Sequence, residues 1–308
     1  MSIPIYVIGS SNTDMVIKTT RLPMPGETVM GTDFFMNAGG KGANQAVAAA
    51  RLGGKVTLVA RVGNDLFGQQ ALQQFERENI DTRFIGTDQD HPSGVALIGV
   101  DAQGENSIMV AAGSNGYLDE RIVDKALESI QEAAVILIQL EIPLPTVEFA
   151  IKKGIDKGWK VIVNPAPARQ INKGAFRDLY LITPNEYEAE ILTGVRVTDI
   201  DSAEQAAQTL RQLGVSNVVI TLGSRGAFLH TRSLRKVIPA PTVTPIDTTA
   251  AGDCFNGAIA VALSQGVEME GAVGFACQAA SVSVTRMGAQ SSMPSRKELN
   301  EIFPQSTS

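Results

Sequence analysis

Residues 135–164 read VILIQLEIPLPTVEFAIKKGIDKGWKVIVN. The run over 135–139 is short, continuous and aliphatic, the pattern of a strand buried on both faces. Apolar residues then recur at helical spacing and predict a helix over 144–157, before 160–164 returns to an aliphatic run. Strand, helix and strand in that order form a crossover unit, so the two strands lie parallel in one sheet with the helix packed on a face.

The same rhythm extends in both directions. A helix is predicted over 119–131, a strand over 179–182, helices over 186–192 and 202–213, a strand over 218–222 and a hairpin across 226–237. Two small-residue helices follow, around 254–264 and 271–285. Upstream lie a strand over 5–9, a helix over 43–52, a strand over 56–62 and a helix over 67–79. Two stretches break the pattern: 12–36, interrupted by Pro23, Pro25 and Gly26, and 94–110 both read as hairpins. The expected fold is α/β, a three-layer α/β/α arrangement with a mainly parallel central sheet and a small β-sheet lid. The lid is formed by insertions near 12–36 and 94–110 and lies over the carboxyl edge, where open α/β sheets bind ligands. No linker rich in Pro, Gly or Ser divides the chain, so 1–308 is expected to be a single domain.

The chain has 308 residues, 44% of them hydrophobic, enough for a large core. With 19% charged residues and a net charge of −6 it offers no broad basic field, so neither nucleic acid nor an anionic membrane is an expected partner. The N-terminal apolar run is too short for a signal peptide, and no stretch is long and charge-free enough to cross a bilayer. Cys254 and Cys277 both lie in apolar, small-residue segments, which fits free thiols and a cytoplasmic setting. Only two histidines occur, His91 and His230, neither with a cysteine or carboxylate cluster at metal-ligand spacing, which argues against zinc or Ser-His-Asp chemistry.

Two glycine-rich elements invite comparison with nucleotide motifs. Ala38-Gly39-Gly40-Lys41-Gly42-Ala43-Asn44 lacks both the Walker spacing and the dinucleotide pattern. Asp247-Thr248-Thr249-Ala250-Ala251-Gly252-Asp253 places small residues just before a helix, leaving backbone N–H groups unobstructed and the helix dipole behind them, which makes an anion hole for a phosphoryl group. An aspartate in such a place needs another task, and accepting the proton of an attacking hydroxyl is the natural one. At a helix N-terminus it is expected to be ionised and a weak base, although the same position would suit an ordinary N-cap equally well.

With Gly9-Ser-Ser-Asn12-Thr-Asp14 after the first strand, the Gly39–Asn44 element, Asn185-Glu-Tyr-Glu188 and the segment from Asp247 to Asp253, the chain resembles the ribokinase family, the PfkB-type carbohydrate kinases, along essentially its whole length. The resemblance implies transfer of the terminal phosphoryl group of ATP to a hydroxyl of a small sugar. It implies Asp253 as catalytic base and the amides of Ala250, Ala251 and Gly252 as the anion hole. Asn12, Asp14, Gly40, Lys41, Asn44, Glu141 and Asp253 would hold the sugar. Asn185 and Glu188 would organise Mg²⁺ and its waters around the ATP phosphates. Thr221, Gly223, Ser224 and Gly226 would lie beneath the nucleotide, with Gly252 and Cys277 also in contact. Asp247, Thr249, Ser283, Arg286, Gly288 and Ser292 would form a site for K⁺, an activating monovalent cation.

Taken without the resemblance, Asn12 and Asp14 would suit a turn, Lys41 a solvated helix start, and Asn185 to Glu188 a helix opening led by Pro184. Against what the resemblance implies, Cys254 and Cys277 stand where a hydroxyl residue and a more polar neighbour of adenine are expected. The compact polar set fits D-ribose, phosphorylated at O5 to D-ribose 5-phosphate. A phosphorylated hexose would call for more basic residues in the lid than Lys18 and Arg21, and a nucleoside for more aromatic residues than 5%. Fructose remains open, as does a non-catalytic sugar-binding role. Val95, Leu97 and Ile98, read as an exposed lid edge, predict a homodimer formed through the lid.

Overall fold

The computed structural model describes residues 2–304. Nine strands form the central sheet: β1 (Ile5–Ile8), β4 (Val56–Gly63), β5 (Asp81–Asp88), β8 (Val135–Ile138), β9 (Lys160–Val163), β10 (Leu181–Ile182), β11 (Asn217–Thr221), β12 (Ala227–His230) and β13 (Arg235–Ile238). Their order is β13-β12-β11-β10-β9-β8-β1-β4-β5. All pairs are parallel except two, β11 with β12 and β12 with β13, which close one side antiparallel.

Strand periodicity divides the core into two layers. Ile5, Val7, Val135 and Leu137 pack on one face against α1 (Lys41–Arg51), α7 (Ala251–Ser264) and α8 (Met269–Ser283), while Tyr6, Ile8, Ile136 and Ile138 face α3 (Glu120–Glu128), α4 (Leu144–Asp156), α5 (Glu186–Thr193) and α6 (Ile200–Gln212). The sheet is buried between two helical layers, which is why its strands read as uninterrupted aliphatic runs. Two further helices, α2 (Leu66–Arg77) and α9 (Arg296–Ile302), flank the first face.

The lid is a separate four-stranded sheet, β3-β2-β6-β7, made of β2 (Asn12–Lys18), β3 (Asp33–Gly39), β6 (Gly94–Val100) and β7 (Asn106–Ala111). The two predicted insertions are joined by parallel pairing of β2 with β6. β6 is therefore an inner strand, which corrects the reading of Val95, Leu97 and Ile98 as an edge; the edges are β3 and β7.

Two elements were not anticipated. β5 is the outermost strand of the main sheet, partly solvated and carrying charge, so its sequence lacks the aliphatic signature of the inner strands. α9 has only seven residues, too short for a periodic signal.

Candidate active site

The predicted residues gather at the carboxyl ends of β1, β8, β10 and β11, under the lid. Asn12 and Asp14 are not in a turn: they sit on one face of β2, opposite Gly39 and Asn37 of β3. Gly39 is required there, because a Cβ at that position would lie 2.2 Å from the Asp14 carboxylate. Asn12 Oδ1 accepts from Asn115 Nδ2 at 2.8 Å, and Asn115 is further tied to the Ser11 backbone through both its amide atoms. Asn115 had no motif to mark it.

Gly40 precedes α1 at φ 88°, where a Cβ would press on the Asn12 nitrogen. No side chain of its own segment caps this helix. Glu141, reaching over from the loop after β8, accepts from the Lys41 N–H at 3.0 Å and from Ser10 Oγ at 2.5 Å. The Lys41 side chain is not a solvated charge. It is half-buried, and Asp253 first, then Glu141, Glu188 and Asp14, hold its ammonium above the usual lysine range. Asp14 is pushed up to about 6, by burial first and then by Glu141 and Asp253, with Lys41 acting against them. Four carboxylates thus share one half-buried ammonium.

Asp253 stands at the third position of α7, and its side chain caps nothing. The N-cap is Ala250, in the left-handed region at φ 59°. Asp253 Oδ2 accepts from Asn44 Nδ2 at 2.9 Å and Oδ1 from Gln45 Nε2 at 3.0 Å. A carboxylate at a helix N-terminus was expected to be a weak base, yet burial outweighs the dipole. The carboxyl is raised above its ordinary range, with Lys41, Asn44 and Gln45 pulling the other way and Glu141 adding to the rise. Asn44 gives its nitrogen to Asp253, which leaves Asn44 Oδ1 buried without a partner.

The amides before α7 differ from expectation in one respect. The Ala251 N–H donates to the Thr248 carbonyl at 3.3 Å. Those of Ala250, Gly252 and Asp253 have no acceptor among the described residues. The open donors are therefore these three, and a Cβ on Gly252 would project into empty space.

Asn185 and Glu188 form a reciprocal capping box at the start of α5: Asn185 Oδ1 accepts from the Glu188 N–H at 2.7 Å and Glu188 Oε2 from the Asn185 N–H at 2.9 Å. Glu188 is nevertheless buried and its carboxyl raised, by desolvation first, with Lys41 opposing and Asp253 reinforcing. Asn185 also bridges to Thr221, whose N–H donates to the Pro184 carbonyl, so this helix start abuts the 221–226 loop. Within that loop Gly223 and Ser224 are exposed, whereas Gly226 is buried at φ 95° with the Ile238 carbonyl 2.0 Å from where its Cβ would be. Gly226 is a turn requirement rather than an open floor. Cys277 is likewise packed: its Sγ lies 4.0 Å from the Ile238 carbonyl, and burial pushes its thiol up to about 12, as it does that of Cys254.

Asp247 joins two loops, its Oδ1 accepting from the Thr249 N–H at 2.9 Å and its Oδ2 from the Gly288 N–H at 2.8 Å. Burial opposes these bonds, but the donors keep the Asp247 carboxyl below its ordinary range. The hydroxyls of Ser283 and Ser292 donate to Ala280 and Ala289 carbonyls and keep their lone pairs. The Arg286 side chain turns away to Glu298, so only its backbone can serve this region. A cavity of about 430 Å³ behind the root of the lid, lined by residues including Thr13, Met36, Gln70 and Gln290, takes in only Asn12 of the predicted site residues.

A buried carboxylate beside unclaimed helix-start amides is an arrangement able to take a proton from a hydroxyl and to steady a phosphoryl group, as a phosphotransferase must. The chain belongs to the pfkB family of carbohydrate kinases, whose model matches residues 3–296. It is 44% identical over 297 residues to a ribokinase of Haemophilus influenzae, covering 96% of this chain and 97% of the relative. A deoxyribokinase of Salmonella typhi is 39% identical at the same coverage. Among solved structures, a ribokinase of Thermotoga maritima superposes with a TM-score of 0.90 at 39% identity, covering 98% and 100% of the two chains. A ribokinase of Arabidopsis thaliana complexed with ribose and ATP superposes with 0.89 at 31% identity, covering 99% and 100%.

Proposed function

We propose that this enzyme transfers the γ-phosphoryl group of ATP to O5 of D-ribose, giving D-ribose 5-phosphate and ADP. The observation that carries the proposal is the buried, unpartnered Asn44 Oδ1 beside the Asp253 carboxylate. An orphaned acceptor next to a base is completed by a hydroxyl-rich ligand, one hydroxyl donating to each. Asn12, Asp14, Gly40, Lys41 and Glu141 would close around the remaining hydroxyls, and the relatives named ribokinase, together with the structure holding ribose and ATP, favour that sugar. The deoxyribokinase relative favours 2-deoxyribose as the second reading.

In this reading Asp253 takes the proton of the attacking hydroxyl. Its raised pKa makes it a stronger base than a surface carboxylate, while Lys41 favours its ionised form. The open amides of Ala250, Gly252 and Asp253 receive the charge of the transferring group, the Ala251 amide contributing less because Thr248 shares it. Thr221, Gly223 and Ser224 would meet the nucleotide, with Gly226 and Cys277 shaping the floor from below. Asn185 and Glu188 each spend one oxygen on the capping box, a donor set that fits Mg²⁺ held through its own waters rather than by two direct ligands. Bound there, Mg²⁺ would supply charge neutralisation of the ATP phosphates. Asp247, Thr249, Ser283, Gly288 and Ser292, with the Arg286 carbonyl, are hard oxygen donors on loops beside the anion hole and fit K⁺, whose charge would order those loops.

No helix among the described residues is long and apolar enough to cross a membrane, in keeping with a cytoplasmic enzyme. Ile17, Phe34, Leu97 and Met109 are all exposed and align by strand register on the lid face opposite Asn12 and Asp14, which favours a homodimer through that face. Lid and body are read as one domain over 1–308.

The test is ADP release with ribose, 2-deoxyribose, fructose, fructose 6-phosphate and adenosine, with D253N as control. Preference for ribose and a dead variant are expected. Turnover of another acceptor in its place overturns the assignment of the sugar; an active D253N overturns the assignment of the base.

A further inference from the structure

Beneath Asp253 lies a polar network that no motif marks. Gln45, fully buried on α1, donates from Nε2 to Asp253 Oδ1 and to Asn164 Oδ1, both at 3.0 Å. Its Oε1 accepts from Nε2 of Gln139, also fully buried, at 2.5 Å. Asn164 Nδ2 donates to the Thr183 carbonyl at 3.3 Å, Thr183 Oγ1 to Asn256 Oδ1 at 2.6 Å, and Asn256 Nδ2 to the Gly252 carbonyl at 2.8 Å. The chain of bonds that begins on the carboxylate thus ends on the first turn of α7, which carries the open amides of Gly252 and Asp253.

Two features separate this network from ordinary packing. The orientation of each amide is dictated in turn: an ionised Asp253 only accepts, so Gln45 must face it with nitrogen, and its oxygen then obliges Gln139 to present nitrogen too. That sequence strands Gln139 Oε1, which is buried without a partner. A Cβ on Gly9 would lie 2.0 Å from this oxygen, so the backbone leaves room for a side chain that an aliphatic residue could replace without an orphaned atom. A core chosen for stability alone would not keep it.

We infer that Gln45, oriented by Gln139, is a positioning residue that holds the Asp253 carboxylate aimed at the attacking hydroxyl and couples its position, through Asn164, Thr183 and Asn256, to the first turn of α7 at Gly252. This rests on Asp253 being the base. The charged groups that face Asp253 are Lys41, Glu141, Glu188 and Asp14. Only Lys41 among them favours the ionised form, so the neutral donors Asn44 and Gln45 supply the remaining support.

The experiment compares Q45M and Q139M, each close to isosteric, with the unaltered enzyme and D253N, reading kcat, sugar KM, the acidic limb of kcat/KM and thermal stability. For Q45M the expected result is a fall in kcat of about tenfold or more with sugar KM within about threefold, and an acidic limb moved up by about one pH unit, as loss of a donor to a charged acceptor requires. Q139M should move the limb in the same direction by less. Should Q45M not fold, the limb of Q139M decides alone. An unmoved limb in the folded variants, or a loss taken up by KM, overturns the inference while leaving the base intact. Full activity in D253N overturns both.

Discussion

Gly252→Ala separates what the fold needs from what the reaction needs. At the second position of α7 the substitution meets nothing: no atom lies within 4 Å of the ideal Cβ, and the backbone is not in the left-handed region. Alanine in place of glycine in a helix gains up to about 1 kcal/mol, less in a first turn, so roughly 0.5 kcal/mol is expected. In a chain of this size that is a rise in Tm of about 1 °C. In the anion-hole reading the added methyl group would nevertheless crowd the phosphoryl oxygen held at the open amides of Ala250, Gly252 and Asp253. Loss of one such donor interaction lowers kcat by about 10²- to 10³-fold. The assay is thermal unfolding beside steady-state ADP release. A variant that is clearly less stable than the parent, or one that retains its kcat, would refute the assignment of Gly252 to the anion hole.

Further outcomes can be checked independently. Asp14 titrates near 6 when folded and near 4 when unfolded, so its ionisation costs stability as pH rises through that window. D14N should therefore match the parent near pH 4 and exceed it above pH 6 by about 1–2 kcal/mol after screening, while sugar KM rises; urea titrations at the two pH values read the difference. Asp247→Ala removes two charge-assisted bonds, one to Thr249 within its own loop and one to Gly288 across loops, worth about 2–4 kcal/mol of local order, and is expected to lower kcat and abolish the difference between K⁺ and Na⁺ buffers. An enzyme indifferent to the cation from the start would count against the K⁺ site. Leu97→Asp with Met109→Asp, paired across β6 and β7, should convert a dimer to a monomer in sedimentation equilibrium without unfolding; a parent that is already monomeric at all concentrations contradicts the lid interface.

Local pattern carried most of the architecture because each inner strand is buried on both faces and each helix packs on one, which writes periodicity into the residues themselves. The lid was legible as two hairpins from Pro23, Pro25, Gly26 and the alternation over 94–110. The run from Asp247 to Asp253 was legible because a free helix start demands small residues in sequence, whereas Gly40 and Asn44 were marked by the family resemblance alone. Apart from α9, too short for a periodic signal, what remained hidden depends on pairing between distant segments. β5 and the inner position of β6 depend on their neighbours, the capping of α1 by Glu141 spans 100 residues, and the bond from Gln45 to Asp253 spans 208. Whether a helix-start aspartate is a weak or a strengthened base likewise depends on how much water the fold excludes and which charges it brings near. A motif names the carboxylate, and tertiary packing decides its pKa, its aim and the amides left open beside it.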